Sequence, residues 1–154
     1  MIRIAVDGMG GDNGPAVVVE GAVQAANDFE HLEILLVGPT DILKAELNRH
    51  KVLGGKITIV EAPEVVGMGE SPVAALKKKK NSSIKISIDL LHKKEVDAAI
   101  SAGNTGAMVA ASTLTLGMLP GVKRPGIAIT IPTMHGMCCT LDVGANLNPS
   151  AFEL

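Results

Sequence analysis

The sequence predicts an α/β fold: a three-layer, open and mostly parallel sheet with helices on both faces. Short apolar runs typical of buried parallel strands, such as Leu32–Gly38, alternate with segments of helical periodicity. Polar, glycine-rich segments stand at the joints between them. The chain has 154 residues, 47% of them hydrophobic, which suffices for one domain with a substantial core. We therefore expect residues 1–154 to form a single α/β domain.

The composition narrows the function classes. Aromatic residues make up 1% of the chain, so the core is aliphatic and a base-stacking platform for nucleic acid is not expected. The net charge of −2 gives no general signal for nucleic acid or membrane. Cys138 and Cys139 are adjacent, which makes them poor disulfide partners, and no metal-ligand set surrounds them. We expect a reduced, cytoplasmic protein without a signal peptide, a membrane span or a bound metal.

The first half of the chain predicts three strands and two helices. The strands are Ile2–Asp7, Leu32–Gly38 and Lys56–Glu61; the helices run from Val17 to Ala26 and from a cap at Thr40 or Asp41 to near His50. Pro15 suits the first turn of the first helix. The loop Gly8–Pro15 before it holds four glycines in seven residues but lacks the G-x-G-x-x-G fingerprint. We interpret it as a second anion-binding loop.

The second half predicts three helices and three strands. Ser71–Pro72 begins a helix with Val73, Ala74 and Leu76 inward and Lys77–Lys80 as a solvated end. Ser82 or Ser83 caps the next segment, whose isoleucines fit a strand or a helix; we choose a helix, because Asp97–Ile100 then forms a fourth parallel strand. A buried helix, Met108–Leu116, and two further strands, Ile127–Ile131 and Met137–Asp142, follow.

The stretch Ser101–Ala107 joins the fourth strand to the helix after it. Gly103 and Gly106 bracket Asn104 and Thr105 there, and neither glycine has a Cβ to keep a ligand away. Free backbone N–H groups at the helix start, together with the helix dipole, favour an anion such as phosphate. The alternative is a tight turn in which Asn104 or Thr105 caps the helix.

Four polar joints are expected at one edge of the sheet. They are Asp7–Gly14, Glu64–Ser71, Ser101–Gly106 and Asp142–Asn146. In open α/β sheets, ligands bind beyond the carboxyl ends of the strands. Each joint alone is a weak signal, but their convergence predicts a binding site.

Several motifs, in order along nearly the whole chain, resemble the phosphate acyltransferase (PlsX) family. They are Asp7–Asp12 with Pro15, Glu70–Pro72, Ser82–Ser83, Ser101–Ala107, Arg124–Pro125 and Leu141–Asn146. The resemblance implies a bacterial enzyme that moves a fatty acyl group from acyl carrier protein to inorganic phosphate, giving acyl phosphate for phospholipid synthesis. It also implies an isocitrate/isopropylmalate dehydrogenase-like fold, a homodimer and peripheral membrane association. We expect no cofactor, and the sequence gives no argument for a divalent cation.

The chain departs from the family pattern in three ways. Family members are longer, so this chain looks like their N-terminal half. Lys77 stands where the family usually has Arg, which would reduce a bidentate phosphate fork to a point charge. Gly126 replaces the usual Ala after Arg-Pro, and residues 147–154 fit the pattern poorly.

With phosphate as the nucleophile, no Ser or Cys nucleophile is required. We expect Asn104, Thr105 and the backbone of 103–106 to hold the phosphate or the oxyanion. The catalytic candidates are Asn104, Thr105, Asp7, Asp12 and Asp142; the substrate-binding candidates are Gly10, Gly11, Ser71, Lys77, Ser101, Gly103, Gly106, Arg124 and Asn146. The aspartates would repel a phosphate dianion, so we expect them to orient a Lys or Arg, to hydrogen-bond loop backbone or to hold a cation. The alternative for each is that it caps a loop.

Other residues keep two interpretations. Arg124 is a phosphate ligand or an exposed turn residue, and Lys77–Lys80 steer the acidic carrier protein or form a solvated helix end. His135 is the histidine to test as the acid for the leaving thiolate. Three rivals to the main function are a phosphotransacetylase-like enzyme using coenzyme A, a dehydrogenase of the isocitrate type, and an inactive anion-binding or dimerisation fragment.

Overall fold

The computed structural model describes residues 1–53 and 56–141. The chain divides into two compact units, Met1–Leu116 and Gly117–Leu154, which are described separately. None of the described helices is long and apolar enough to cross a bilayer.

The first unit is an α/β sandwich around a four-stranded parallel sheet. Its elements are β1 (Ile2–Asp7), α1 (Pro15–Asp28), β2 (Leu32–Gly38), α2 (Thr40–Leu47), β3 (Lys56–Glu61), α3 (Pro72–Lys78), α4 (Ser83–His92), β4 (Ala98–Ile100) and α5 (Thr105–Leu116). The strands lie in the order β3-β2-β1-β4, and each adjacent pair is parallel. The predicted parallel sheet is confirmed, as is the choice of a helix for residues after Ser82.

Both faces of the sheet are covered, which explains the continuous apolar runs. Ile34 and Leu36 of β2 pack with Val19, Val23 and Leu43 of α1 and α2 on one face. The alternate residues of β2 face the other way, where Leu35 and Val37 pack with Leu90 of α4. Burial of each such side chain stabilises the fold by about 1.5–3 kcal/mol relative to exposure.

The strand order places a switch point between β1 and β4. The chain leaves β1 toward α1, on the face that holds α2, and leaves β4 toward α5, which packs against α4 and α3 on the other face. Val6 pairs with Ile100, so the two strands end side by side. The joints that follow them therefore diverge from one point, where open α/β sheets form their ligand crevice.

Helix α5 is less buried than its apolar sequence predicts. Ala107 and Ala111 are fully buried against α3 and α4, whereas Leu114 and Leu116 are 71% and 44% exposed. Two alanines one turn apart form a narrow stripe that allows close helix packing, and Met108 and Ala110 are partly buried against the same cluster. The prediction of a buried helix is thus wrong for its outer face.

Two predictions about helix starts are also corrected. Neither Thr40 nor Asp41 caps α2; instead Glu61 of β3 accepts the Thr40 N–H at 3.0 Å. In α3, Val73 and Ala74 point outward, while Ala75 and Leu76 are buried. The inward face of α3 is set by its contact with α5, which the local sequence does not specify.

The second unit contains an antiparallel hairpin of β5 (Ala128–Thr133) and β6 (Gly136–Leu141). The sequence predicts two strands here, and the structure pairs them with each other through a short turn. Gly136 adopts φ of 132°, a conformation that favours glycine. Cys138 and Cys139 are both exposed thiols. Asp142, predicted to end β6, lies outside the described residues.

Candidate active site

Three of the four predicted joints meet where β1 and β4 end. They are the loop after Asp7, the loop 64–71 and the joint 101–106, and side chains connect all three directly. The fourth, Asp142–Asn146, lies outside the described residues. The predicted convergence is therefore present for the three joints that the structure describes.

Asp7 ties the first joint to the joint after β4. It is 1% exposed, and its Oδ2 accepts a hydrogen bond of 2.6 Å from the Ser101 hydroxyl. Its Oδ1 accepts the Met9 N–H at 3.2 Å, and the Ser101 hydroxyl accepts the Gly103 N–H at 3.0 Å. A buried carboxylate is costly without such partners. Of the roles considered for Asp7, the geometry fits hydrogen bonding to loop backbone.

Glycines allow the two joints to touch. A Cβ placed on Gly10 would lie 2.7 Å from the Gly103 nitrogen, a distance that no real Cβ contact tolerates. A Cβ on Gly103 would meet the Ser101 hydroxyl and the Gly10 Cα at 3.2 and 3.3 Å. Gly11 adopts φ of 99°, where an L side chain is strained. Backbone contact between the joints therefore depends on these glycines.

Asn104 connects the joint after β4 to the loop 64–71. Its Nδ2 lies 3.1 Å from the carbonyl oxygens of Gly67, Met68 and Glu70, and its Oδ1 accepts the Ala107 N–H at 3.0 Å. Three acceptors on one side and a donor on the other fix the orientation of the amide. The side chain thus caps α5, as one of the two interpretations expected, and its polar atoms are occupied within the protein.

The first turn of α5 leaves two amides available. Ala107 N–H is capped, and Met108 N–H bonds to the Asn104 carbonyl at 3.0 Å. Thr105 and Gly106 are exposed, and their N–H groups have no acceptor within the described parts of the chain. Such amides at the positive end of a 12-residue helix attract anions. A Cβ on Gly106 would lie 2.6 Å from the Pro72 ring, so glycine also allows α3 to approach here.

The loop 64–71 is braced by a pair of residues that the sequence analysis missed as site residues. Glu70 Oε1 accepts the Gly67 N–H at 2.7 Å and forms an ion pair with Lys79. Lys79 also donates to the Val65 carbonyl at 2.7 Å, so it is not the solvated lysine that was expected. The hydrogen bond from Lys79, and secondarily the one from Gly67, lower the pKa of Glu70 below its ordinary value. The only sequence signal for this pair was the Glu70–Pro72 motif.

The remaining candidates are placed as follows. Asp12 is exposed in the loop after β1, and Ser71 precedes α3 without making a capping bond through its side chain. Lys77 is exposed near the end of α3, and Arg124 belongs to the second unit. Asp142 and Asn146 lie outside the described residues. Across residues 1–53 and 56–141, His, Cys, Asp and Glu form no cluster of three or more that could hold a metal ion.

An apolar pocket of about 340 Å³ lies between α1 and the strands β1, β2 and β4. Its lining is mainly aliphatic and includes Ile4, Val6, Val17, Val18, Ile34 and Ile100. Asp7 and Ala102, from the two joints, also line it. The volume is at the lower end of the range for small-ligand pockets. An aliphatic space therefore adjoins the polar joints.

The chain is similar to known proteins in sequence and in fold. The family described as "Fatty acid synthesis protein" matches residues 2–154. Phosphate acyltransferases from Geobacter sulfurreducens and Salinibacter ruber are each 49% identical, over 99% and 95% of this chain. The chain spans 44% of the length of each of these relatives.

Solved structures show the same fold. A phosphotransacetylase from Streptococcus pyogenes superposes with a TM-score of 0.66 at 17% identity, covering 99% of this chain and 50% of the other. EutD phosphotransacetylase from Staphylococcus aureus superposes with a TM-score of 0.62 at 16% identity. The superposition covers 97% of this chain and 47% of the other. At these identities the likeness concerns the fold alone. From the family match, which extends over residues 2–154, we conclude that the chain belongs to the fatty acid synthesis protein family.

Proposed function

We propose that this chain supplies the phosphate-binding part of an acyltransferase that moves a fatty acyl group from acyl carrier protein to inorganic phosphate. The product is acyl phosphate, a precursor for phospholipid synthesis. The observation that carries the proposal is the pair of open amides, Thr105 and Gly106, at the β1–β4 switch point. The family match and the phosphate acyltransferase relatives support the choice of reaction.

In the proposed reaction a phosphate oxygen attacks the thioester carbonyl carbon, a C–O bond forms, and the C–S bond breaks. The thiolate leaves and takes up a proton. The site has to hold the phosphate about 3 Å from the carbonyl and stabilise the tetrahedral oxyanion. The amides of Thr105 and Gly106 perform the anion-binding task. Asn104 fixes those amides in place, because its own polar atoms are already bonded.

The carboxylate of Asp7 accepts hydrogen bonds from the Met9 N–H and the Ser101 hydroxyl, so its role in the proposed site is to hold the loops and not to contact the phosphate. The aliphatic pocket beside Ala102 offers space for an acyl chain next to the polar joints. Asp12, Ser71, Lys77 and Arg124 are further candidates for substrate contacts, as are Asp142 and Asn146 outside the described residues. His135, exposed at the hairpin turn, is the candidate acid for the thiolate.

The wider assignments are part of the same proposal. They comprise a homodimer, a cytoplasmic protein with peripheral membrane association, and an isocitrate/isopropylmalate dehydrogenase-like arrangement of the whole fold. The family resemblance supports them, and they are testable by solution mass and vesicle sedimentation of a full-length protein.

The test is Asn104→Ala in a full-length enzyme that contains this segment. Turnover should fall about a hundredfold, the scale expected when binding groups are misplaced by about 1 Å, because the amides of Thr105 and Gly106 lose the side chain that fixes them. Asn48→Ala is the control, because Asn48 is exposed and lies at the end of α2, outside the three joints. An unchanged turnover for Asn104→Ala would remove Asn104 from the site.

A second candidate is a phosphotransacetylase-like enzyme that uses coenzyme A. The fold shared with two phosphotransacetylases favours it as the runner-up. Assays with the same acyl group on acyl carrier protein and on coenzyme A separate the two candidates. Activity that requires the carrier protein supports the first, and equal or greater activity with coenzyme A supports the second.

A further inference from the structure

Lys79 reaches back over the loop that precedes its own helix. Helix α3 ends at Lys78, and the Lys79 N–H still bonds to the Ala75 carbonyl at 2.7 Å. From that position the ammonium group donates to the Val65 carbonyl, 14 residues earlier, and to the carboxylate of Glu70. An ammonium has three donors, so it can satisfy both acceptors at once.

Glu70 also holds the loop 64–71 together, through contacts of its own carboxylate. The oxygen that pairs with Lys79 also accepts the Gly67 N–H at 2.7 Å. Val65, Gly67 and Glu70 are thereby drawn together around one ion pair. We call this pair, Glu70 with Lys79, the latch.

The latched loop is also the loop that holds Asn104. The carbonyls of Gly67, Met68 and Glu70 surround the Asn104 amide nitrogen, each at 3.1 Å. The other end of that side chain caps the Ala107 N–H of α5. A continuous series of hydrogen bonds therefore runs from Lys79 through the loop and Asn104 to the first turn of α5.

We propose that Glu70 and Lys79 are positioning residues for the anion site. By keeping three carbonyls around Asn104, the latch fixes the orientation of the Asn104 side chain and thereby the direction of the Thr105 and Gly106 amides. Neither latch residue touches the phosphate. This role rests on the proposed function, because it assumes that those amides bind phosphate.

The contacts themselves are tested on the chain by hydrogen exchange of single amides. In Lys79→Met, exchange at Gly67 and Ala107 should accelerate about tenfold, because the loop opens locally without global unfolding. The matched control is Lys85→Met, which removes the Lys85–Asp89 ion pair of α4. The side chains of the two pairs are similarly exposed, 31% and 39% for the latch against 29% and 32% for the control. Unchanged exchange in Lys79→Met, or equal acceleration in Lys85→Met, would overturn the latch.

The positioning role is tested by kinetics in the full-length enzyme. Lys79→Met and Glu70→Gln should each raise the KM for phosphate about tenfold while the KM for the acyl donor stays unchanged, since misplaced groups weaken the interactions they orient. Lys79→Arg should keep the KM for phosphate close to that of the unmodified enzyme. The double variant Lys79→Met with Glu70→Gln should raise this KM no more than either single variant does. An equal rise in both KM values would indicate general damage and contradict the proposal.

The two experiments separate this inference from the function on which it rests. Faster exchange at Gly67 with an unchanged KM for phosphate overturns the positioning role and leaves the acyltransferase proposal intact. An unmodified enzyme that shows no phosphate-dependent acyl transfer overturns the proposed function, and the positioning role with it.

Discussion

The hydroxyl of Ser101 donates a 2.6 Å hydrogen bond to the carboxylate of Asp7, which lies 94 residues earlier in the chain. The bond joins the ends of two adjacent parallel strands, and the same hydroxyl accepts the Gly103 N–H. Because Asp7 is 1% exposed, these partners take the place of water at its carboxyl oxygens. This contact therefore holds the two glycine-rich joints, after β1 and after β4, against each other.

Ser101→Ala tests that contact. The substitution leaves a buried carboxylate oxygen without its hydroxyl donor, and we expect the free energy of unfolding to fall by about 1.5–3 kcal/mol. Urea unfolding followed by circular dichroism measures the change. Ser112→Ala in α5, outside the joint, should alter stability by less than about 0.5 kcal/mol. A similar small effect for Ser101→Ala would show that the hydroxyl is dispensable.

Gly10→Ala tests the backbone approach between the joints. The new Cβ would lie 2.7 Å from the Gly103 nitrogen, so the loops have to separate. We expect a loss of about 1–3 kcal/mol in unfolding free energy, as in overpacked cores. Gly21→Ala is the matched control: it sits in the interior of α1, a Cβ there meets nothing within 4 Å, and stability should rise by about 0.5–1 kcal/mol. Equal effects at the two glycines would contradict the close approach.

The latch should respond to acid. Lys79 and the Gly67 N–H lower the pKa of Glu70 below 4.5 in the folded state. The carboxylate therefore stabilises the fold fully above the unfolded-state pKa, and this contribution is lost as the pH falls through the lower, folded-state value. The stability difference between the unmodified chain and Glu70→Gln should be constant near neutrality and shrink below about pH 4.5.

Urea unfolding midpoints between pH 3 and pH 7 would measure this difference. Glu20→Gln, an exposed change on α1, serves as the control. A difference that persists unchanged at the acid end would mean that Glu70 stabilises the loop without its charge.

The exposed lysines beside the latch are candidates for steering the acidic carrier protein. Lys78→Glu combined with Lys80→Glu should slow association with acyl carrier protein about tenfold at low salt, with the difference fading at high salt. Stopped-flow association at several salt concentrations would measure it. Reversal of Lys44 and Lys93, exposed lysines on other elements, should change the rate much less. If the association rate is unchanged by Lys78→Glu combined with Lys80→Glu, these lysines do not steer the carrier protein and only form a solvated helix end.

The sequence by itself determined the alternation of strands and helices in the first unit, because hydrophobic periodicity is a local property of the chain. The run Leu32–Gly38 is apolar except for Glu33, because both faces of β2 are buried from Ile34 onward, and this pattern is visible without coordinates. The same reasoning located the joints 7–14, 64–71 and 101–106, where glycines and polar residues interrupt that periodicity. The fold class and the region of the site followed from these features.

Only the tertiary structure decided what the side chains at those joints do. The acceptors of Asn104 lie 34 to 37 residues away along the chain, and the partner of Ser101 lies 94 residues away. Both contacts follow from the strand order β3-β2-β1-β4, which local sequence patterns do not specify. The exposed face of α5, the capping of α2 by Glu61 and the return of Lys79 to Val65 have the same origin. Hydrogen-bond partners depend on which helices and strands become neighbours in the fold. Local sequence propensity does not determine those neighbours.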